Sequence, residues 1–94
     1  MKARLWRLVF GPEWEASVRA ADSGDDRFDD NLQALLDAFE VSPYLHAREL
    51  TEGTPDDRYG TTKDVAGGYR LVVFVHVDPR RGTCTLAWCA REDL

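Results

Sequence analysis

The C-terminal third of the chain constrains the fold most, because it predicts a long β-hairpin. Residues 71–77 form a continuous run rich in β-branched side chains, and a charged turn at 78–82 separates it from a second run at 83–90. Antiparallel pairing places the start of the first strand beside the end of the second, so Arg70 and Arg91 are expected to come close. Two guanidiniums at one end of a sheet predict a phosphate or carboxylate site.

The sequence upstream predicts one strand and two helices. Residues 4–10 have strand character, which Gly11-Pro12 ends, and residues 13–21 have a helical pattern. A second helix is expected to be capped by Asp29 or Asp30 and to end near Pro43. Its apolar side chains follow helical spacing and therefore predict a core-facing stripe: Leu32, Leu35, Leu36 and Phe39.

These elements together predict an α+β fold. Residues 43–59 give only a weak structural indication, and a further strand over residues 59–65 is expected before the turn at Gly67-Gly68. The expected order is an N-terminal strand, two helices and a three- to four-stranded antiparallel sheet, with the helices on one sheet face. A length of 94 residues suits a single domain, 1–94, with one core.

The charge pattern predicts an acidic molecule with a mildly basic sheet face. The net charge is -5, and the acidic residues are concentrated in the middle of the chain, between positions 21 and 60. The simpler interpretation is that this acid solvates a loop and favours a helix N-terminus. No apolar run is long enough to span a bilayer, and no signal peptide is indicated, so a soluble cytoplasmic protein without membrane contact is expected.

The two cysteines, Cys84 and Cys89, lie five positions apart in one predicted strand. In a regular strand this spacing puts them on opposite faces, too far apart for a disulfide. Two reduced, mostly buried thiols are therefore expected, with no structural metal.

Four short motifs resemble the RelE/ParE superfamily of bacterial toxins: Pro43-Tyr44-Leu45, Arg48-Glu49-Leu50, Gly68-Tyr69-Arg70 and Arg91-Glu92-Asp93. The resemblance covers nearly the whole chain. It implies the toxin of a type II toxin-antitoxin system, with a cognate antitoxin as partner. One branch of the family inhibits translation as a ribosome-dependent endoribonuclease, or mRNA interferase, that cleaves mRNA in the ribosomal A site.

The resemblance also implies the site residues of such an RNase. Arg70 and Arg91 match the family's arginines, and Lys63 is expected to be a third phosphate contact; the chemistry requires no metal or other cofactor. His76 shares strand parity with Arg70 and could transfer a proton on that face, although a structural role is the alternative. His46 is expected to be a surface residue. The chain lacks the His or Tyr that active members commonly carry near the last strand.

Two other functions stay open at this stage. An isoelectric point of about 4.9 suits RNA binding poorly, so the chain could be a ParE-like toxin that binds DNA gyrase without catalysis. Alternatively, Arg70 and Arg91 pair only with acidic neighbours at the sheet end, and the protein is a small protein-binding module. The acidic candidates for that pairing are Asp64, Glu92 and Asp93.

Overall fold

The computed structural model describes residues 4–94, in which five strands form one sheet and three helices cover one of its faces. In chain order the elements are β1 (Arg7–Phe10), α1 (Trp14–Ala21), α2 (Arg27–Val41), α3 (Pro43–His46), β2 (Arg48–Glu49), β3 (Asp57–Thr61), β4 (Tyr69–Asp78) and β5 (Thr83–Asp93). The strand order is β1-β5-β4-β3-β2. The predicted α+β fold, with an antiparallel sheet of four strands after the helices, is confirmed. Residues 1–3 of the predicted domain lie outside the described residues.

Strand β4 divides the molecule into a core side and an open side. Its alternate side chains Tyr69, Leu71, Val73, Val75 and Val77 are all buried. They belong to the same core cluster as the helical stripe of α2, in which Phe39 is fully buried. The predicted stripe on α2 is therefore confirmed, because residues three and four apart on a helix share one face.

The start of α2 differs from the prediction. The helix begins at Arg27, so Asp29 and Asp30 lie in its first turn and do not cap it. The Asp25 carboxylate accepts the Arg27 backbone N–H at 2.8 Å and the Tyr69 hydroxyl at 3.0 Å. It therefore ties the beginning of α2 to the beginning of β4. None of the helices within residues 4–94 is long and apolar enough to cross a membrane.

The N-terminal strand joins the sheet by a parallel pairing, whereas the other strand pairings are antiparallel. Strand β1 pairs in parallel with β5, with Arg7 opposite Thr83. It is shorter than predicted, and β3 likewise covers Asp57–Thr61 where the sequence favoured residues 59–65. At the other edge, Arg48 of β2 lies opposite Tyr59 of β3.

A β-bulge interrupts the hairpin of β4 and β5 and reverses the orientation of the side chains beyond it. Phe74 lies opposite Trp88, whereas Val75 lies opposite Leu86, so Ala87 is an additional residue on β5. As a result Cys84 and Cys89 are both buried against the helices. The expectation that they lie on opposite faces was wrong, because it assumed a regular strand; both are free and buried, as predicted.

Candidate functional site

The helix-free face of the sheet, here called the open face, combines basic and aromatic side chains. Strand alternation and register place Arg70, Phe74 and His76 of β4 on this face, together with their partners on β3 and β5. The Tyr59 and Phe74 rings lie 6.4 Å apart between centroids, and Trp88, opposite Phe74, is 42% exposed. The open face thus offers several partly exposed rings beside cationic groups.

Arg70 forms an ion pair with the residue opposite it on β5. Its guanidinium donates three hydrogen bonds of 3.0–3.2 Å to the two Glu92 carboxylate oxygens. The two side chains are 41% and 49% exposed, so water screens the pair and the contact stabilises by about 1 kcal/mol or less. Such a pair is weak enough for a competing anion to displace the carboxylate.

Arg91 lies on the other side of the sheet. It is opposite Leu71, a core residue, and its guanidinium donates to the Ala21 carbonyl at the end of α1 at 3.1 Å. It also pairs with Asp93 at 3.2 Å. A positive charge at a helix C-terminus is favourable, so these contacts indicate that Arg91 anchors α1.

The expected convergence of Arg70 and Arg91 is therefore corrected. In a regular hairpin that starts from the observed pair of Asp78 and Thr83, Arg70 would lie directly opposite Arg91. The additional residue of the bulge shifts the register by one and turns Arg91 to the helix side. Arg70 and Arg91 lie at the same end of the hairpin, but their side chains lie on opposite faces of the sheet.

Arg70 instead lines a cleft together with Arg48 of β2 and Lys63, which follows β3. A cleft of about 400 Å³ at this sheet edge, here called the edge cleft, is lined by Arg48, Lys63 and Arg70 together with His46, Tyr59 and Thr61. No carboxylate lines it. Within residues 4–94, Arg48 and Lys63 take part in no ion pair. Lys63 and Arg70, predicted as phosphate contacts, are thus brought together in one place.

Two residues of the edge cleft were missed at the level of sequence. His46 ends the four-residue helix α3, and Arg48 belongs to a strand of only two residues. Elements this short leave no periodic pattern, so only the three-dimensional pairing of β2 with β3 reveals their position.

Gly60 of β3 also lines the edge cleft. A Cβ on Gly60 would lie 2.6 Å from Cζ of Phe39, so glycine lets β3 pack closely on α2.

His76 occupies a different part of the open face. Its Nδ1 lies 2.7 Å from Oδ1 of Asp57, on the neighbouring strand β3, and both side chains are more than half exposed. Six residues separate His76 from Arg70 along β4, which corresponds to roughly 20 Å in an extended strand. The predicted parity of His76 with Arg70 is confirmed by the register, but the two residues do not form one cluster.

The edge cleft is suited to binding a phosphate group. Arg48 and Lys63, joined by Arg70 when its guanidinium leaves Glu92, can neutralise a phosphate diester, and guanidiniums match its oxygens in pairs. The imidazole of His46 also lines the cleft. Residues 4–94 contain no group of three or more His, Cys, Asp or Glu side chains arranged to hold a metal ion.

Comparison with known proteins relates the chain by structure alone. No protein-family model and no curated protein sequence matches it. A crystal structure of the isolated E. coli RelE toxin is similar over 95% of this chain and 86% of that chain, with a TM-score of 0.53 and 18% sequence identity. At this identity the similarity establishes a RelE-like fold.

Proposed function

We propose that this protein is the toxin of a type II toxin-antitoxin system and cleaves mRNA on the ribosome with the edge cleft. The observation that carries the proposal is the convergence of Arg48, Lys63 and Arg70 in one cleft, where, within residues 4–94, Arg70 alone is paired, with Glu92. The RelE-like fold agrees with it, since the similar solved structure is that of a toxin. Residues 1–94 act as one domain in this proposal, and the site of action is the cytoplasm.

The proposed reaction is attack of an RNA 2′-hydroxyl on the adjacent phosphorus. The P–O2′ bond forms and the P–O5′ bond breaks, which leaves a 2′,3′-cyclic phosphate and a 5′-hydroxyl. Negative charge builds up on the phosphate oxygens, so Lys63, Arg48 and Arg70 supply electrostatic stabilisation where it is needed. His46 is the proposed proton acceptor for the 2′-hydroxyl, because it is the imidazole that lines the edge cleft, and the departing O5′ takes a proton from water.

The other predicted site residues receive different roles in this proposal. Arg91 has a structural role, since it holds the end of α1 through the Ala21 carbonyl. His76 with Asp57 contacts RNA away from the reacting phosphate. Glu92 occupies the Arg70 guanidinium until an RNA phosphate replaces it.

The proposed partners are the ribosome with its mRNA and a cognate antitoxin protein. The antitoxin binds across the open face and the sheet edge and covers the edge cleft. An acidic antitoxin segment fits this surface, because Arg48 and Lys63 take part in no ion pair among residues 4–94. The same segment would exclude RNA.

A second candidate function is binding without catalysis. The pairing of Arg70 with Glu92 and of Arg91 with Asp93 favours it, since both arginines then contribute to the sheet end and to no substrate site. In that case the protein is a binding module, or a toxin that acts on a protein such as DNA gyrase. The two functions differ in whether RNA ends appear when the protein is produced.

Production of the protein alone in a bacterial host, with mapping of mRNA 5′ ends, tests the proposal. We expect growth arrest and new ends phased with codons, both lost in the variant Arg48→Gln/Lys63→Gln. Arrest without new ends indicates gyrase or another protein target, and absence of arrest supports the plain binding module.

A matched control is available on the helix side. Arg19→Gln/Arg27→Gln removes the same charge from exposed positions of α1 and α2. It is expected to arrest growth like the wild type. Circular dichroism of each purified variant establishes that a loss of activity does not come from unfolding.

A further inference from the structure

A second basic site lies at the opposite end of the sheet from the edge cleft. Arg4 and Arg7 from the N-terminal segment and Arg80 and Arg81 from the hairpin turn line a cleft of about 580 Å³, here called the arginine cleft. All four arginines are exposed. The edge cleft and the hairpin turn are separated by most of β4, which corresponds to roughly 26 Å.

Backbone contacts bring these arginines together. The Arg7 N–H donates to the Gly82 carbonyl at 2.9 Å, which fixes the beginning of β1 beside the turn. Oδ1 of Asp78 accepts the backbone N–H groups of Arg80 and Arg81 at 3.1 and 3.3 Å. Gly82 has a φ of +65°, a left-handed conformation that glycine adopts without strain. The turn that carries two of the arginines is therefore defined by its own hydrogen bonds.

The positive charge of the arginine cleft is poorly compensated. Asp78 is its nearby carboxylate, and Oδ2 of Asp78 lies 3.7 Å from Nε of Arg81. Among residues 4–94, Arg4, Arg7 and Arg80 take part in no ion pair. Four guanidiniums around one cleft repel each other, and a ligand with closely spaced negative charges relieves this repulsion.

We propose that the arginine cleft binds the phosphates of a single-stranded nucleic acid that lies along β4 on the open face. Between the two basic sites the open face presents Tyr59, Phe74 and the 42% exposed Trp88. Aromatic side chains within a basic groove are the arrangement by which proteins bind single strands, with bases stacked on the rings. An acidic protein segment would use the charges but not this row of rings.

The inference extends the proposed function but is tested apart from cleavage. The probe is a fluorescein-labelled RNA of twelve nucleotides, and its binding is followed by fluorescence anisotropy over a series of salt concentrations. For Arg80→Gln/Arg81→Gln we expect roughly tenfold weaker binding, about threefold for each of the two exposed contacts. The slope of log K against log salt should fall in magnitude by about 1.4, since each phosphate contact on a single strand contributes about 0.7.

The matched control is again Arg19→Gln/Arg27→Gln, which changes the net charge equally on the helix side. The inference is overturned if Arg80→Gln/Arg81→Gln binds like the wild type or like this control, or if the wild type does not bind the RNA. It is also overturned if a poly-glutamate peptide binds the wild type more tightly than RNA and loses affinity in Arg80→Gln/Arg81→Gln, because that result identifies an acidic protein segment.

The two double variants distinguish failure of the proposed function at the edge cleft from failure of the inference about the arginine cleft. If Arg48→Gln/Lys63→Gln loses RNA while Arg80→Gln/Arg81→Gln retains it, the arginine cleft is refuted and the proposed function stands. If Arg80→Gln/Arg81→Gln loses RNA while Arg48→Gln/Lys63→Gln retains it, RNA binding at the arginine cleft is supported and RNA binding at the edge cleft is refuted.

Discussion

Arg91→Met should lower stability and leave the proposed growth arrest intact, whereas Arg70→Met should abolish that arrest with little loss of stability. The Arg91 guanidinium donates to the Ala21 carbonyl in the last turn of α1 and pairs with Asp93, and its side chain is 32% exposed. A cation at a helix end contributes about 0.3–1 kcal/mol, and the exposed ion pair adds about 0.5 kcal/mol. Methionine keeps most of the aliphatic contacts, so the expected loss is about 0.8–1.5 kcal/mol.

Urea and thermal denaturation measure this loss. For a domain of this size 1 kcal/mol corresponds to about 4–8 °C in Tm, so Arg91→Met should melt about 3–12 °C below the wild type. Arg70→Met removes only the exposed pair with Glu92 and should lower the free energy of unfolding by less than about 1 kcal/mol. Growth arrest should persist in Arg91→Met and disappear in Arg70→Met.

An Arg91→Met protein that is as stable as the wild type but no longer arrests growth would refute the assignment of Arg91 to α1. It would show that the guanidinium is needed for activity and not for packing. Arg91→Lys is the companion variant. It keeps the charge at the helix end, so it should recover part of the lost stability.

Three further predictions concern the sheet. Glu92→Gln weakens the competitor for Arg70, so RNA affinity should rise by up to about fivefold, the equivalent of 1 kcal/mol; unchanged anisotropy titrations would contradict this. Gly60→Ala places a Cβ 2.6 Å from Cζ of Phe39 and should destabilise by about 1–3 kcal/mol in urea denaturation, with wild-type stability as the contrary result. Burial raises the pKa of both cysteine thiols to about 11, so at pH 8 only about 0.1% is thiolate, and a thiol reagent such as DTNB should react at least about 100-fold faster after unfolding. Equal rates in native and denatured protein would contradict the burial of these thiols.

The sequence predicts the parts of the fold that follow from periodicity. The apolar stripe of α2 and the apolar run of β4 are long patterns, and both form the expected elements. The parallel pairing of β1 with β5 was not anticipated, because it joins segments more than 70 residues apart and has no local signal.

The candidate site was only partly predictable for a related reason. Lys63 and Arg70 lie together in the edge cleft, but His46 and Arg48 belong to elements of four and two residues that leave no pattern. The position of Arg91 depends on an additional residue, Ala87, whose neighbours in sequence look like an ordinary strand. One register shift thus separates a two-arginine site from the arrangement observed.

The bulge at Ala87 makes the charge of each sheet surface a matter of residue count as well as residue type. Loss of Ala87 would remove the bulge and leave Arg91 opposite Leu71 and Glu92 opposite Arg70. A chain that keeps this residue but pairs it as an ordinary strand position would instead turn Arg91 outward and Glu92 inward, with neither residue substituted. Two related chains with the same last residues could therefore present opposite charges on the same surface. A comparison of such chains must place any gap at this bulge before it assigns equivalent roles to their terminal arginines.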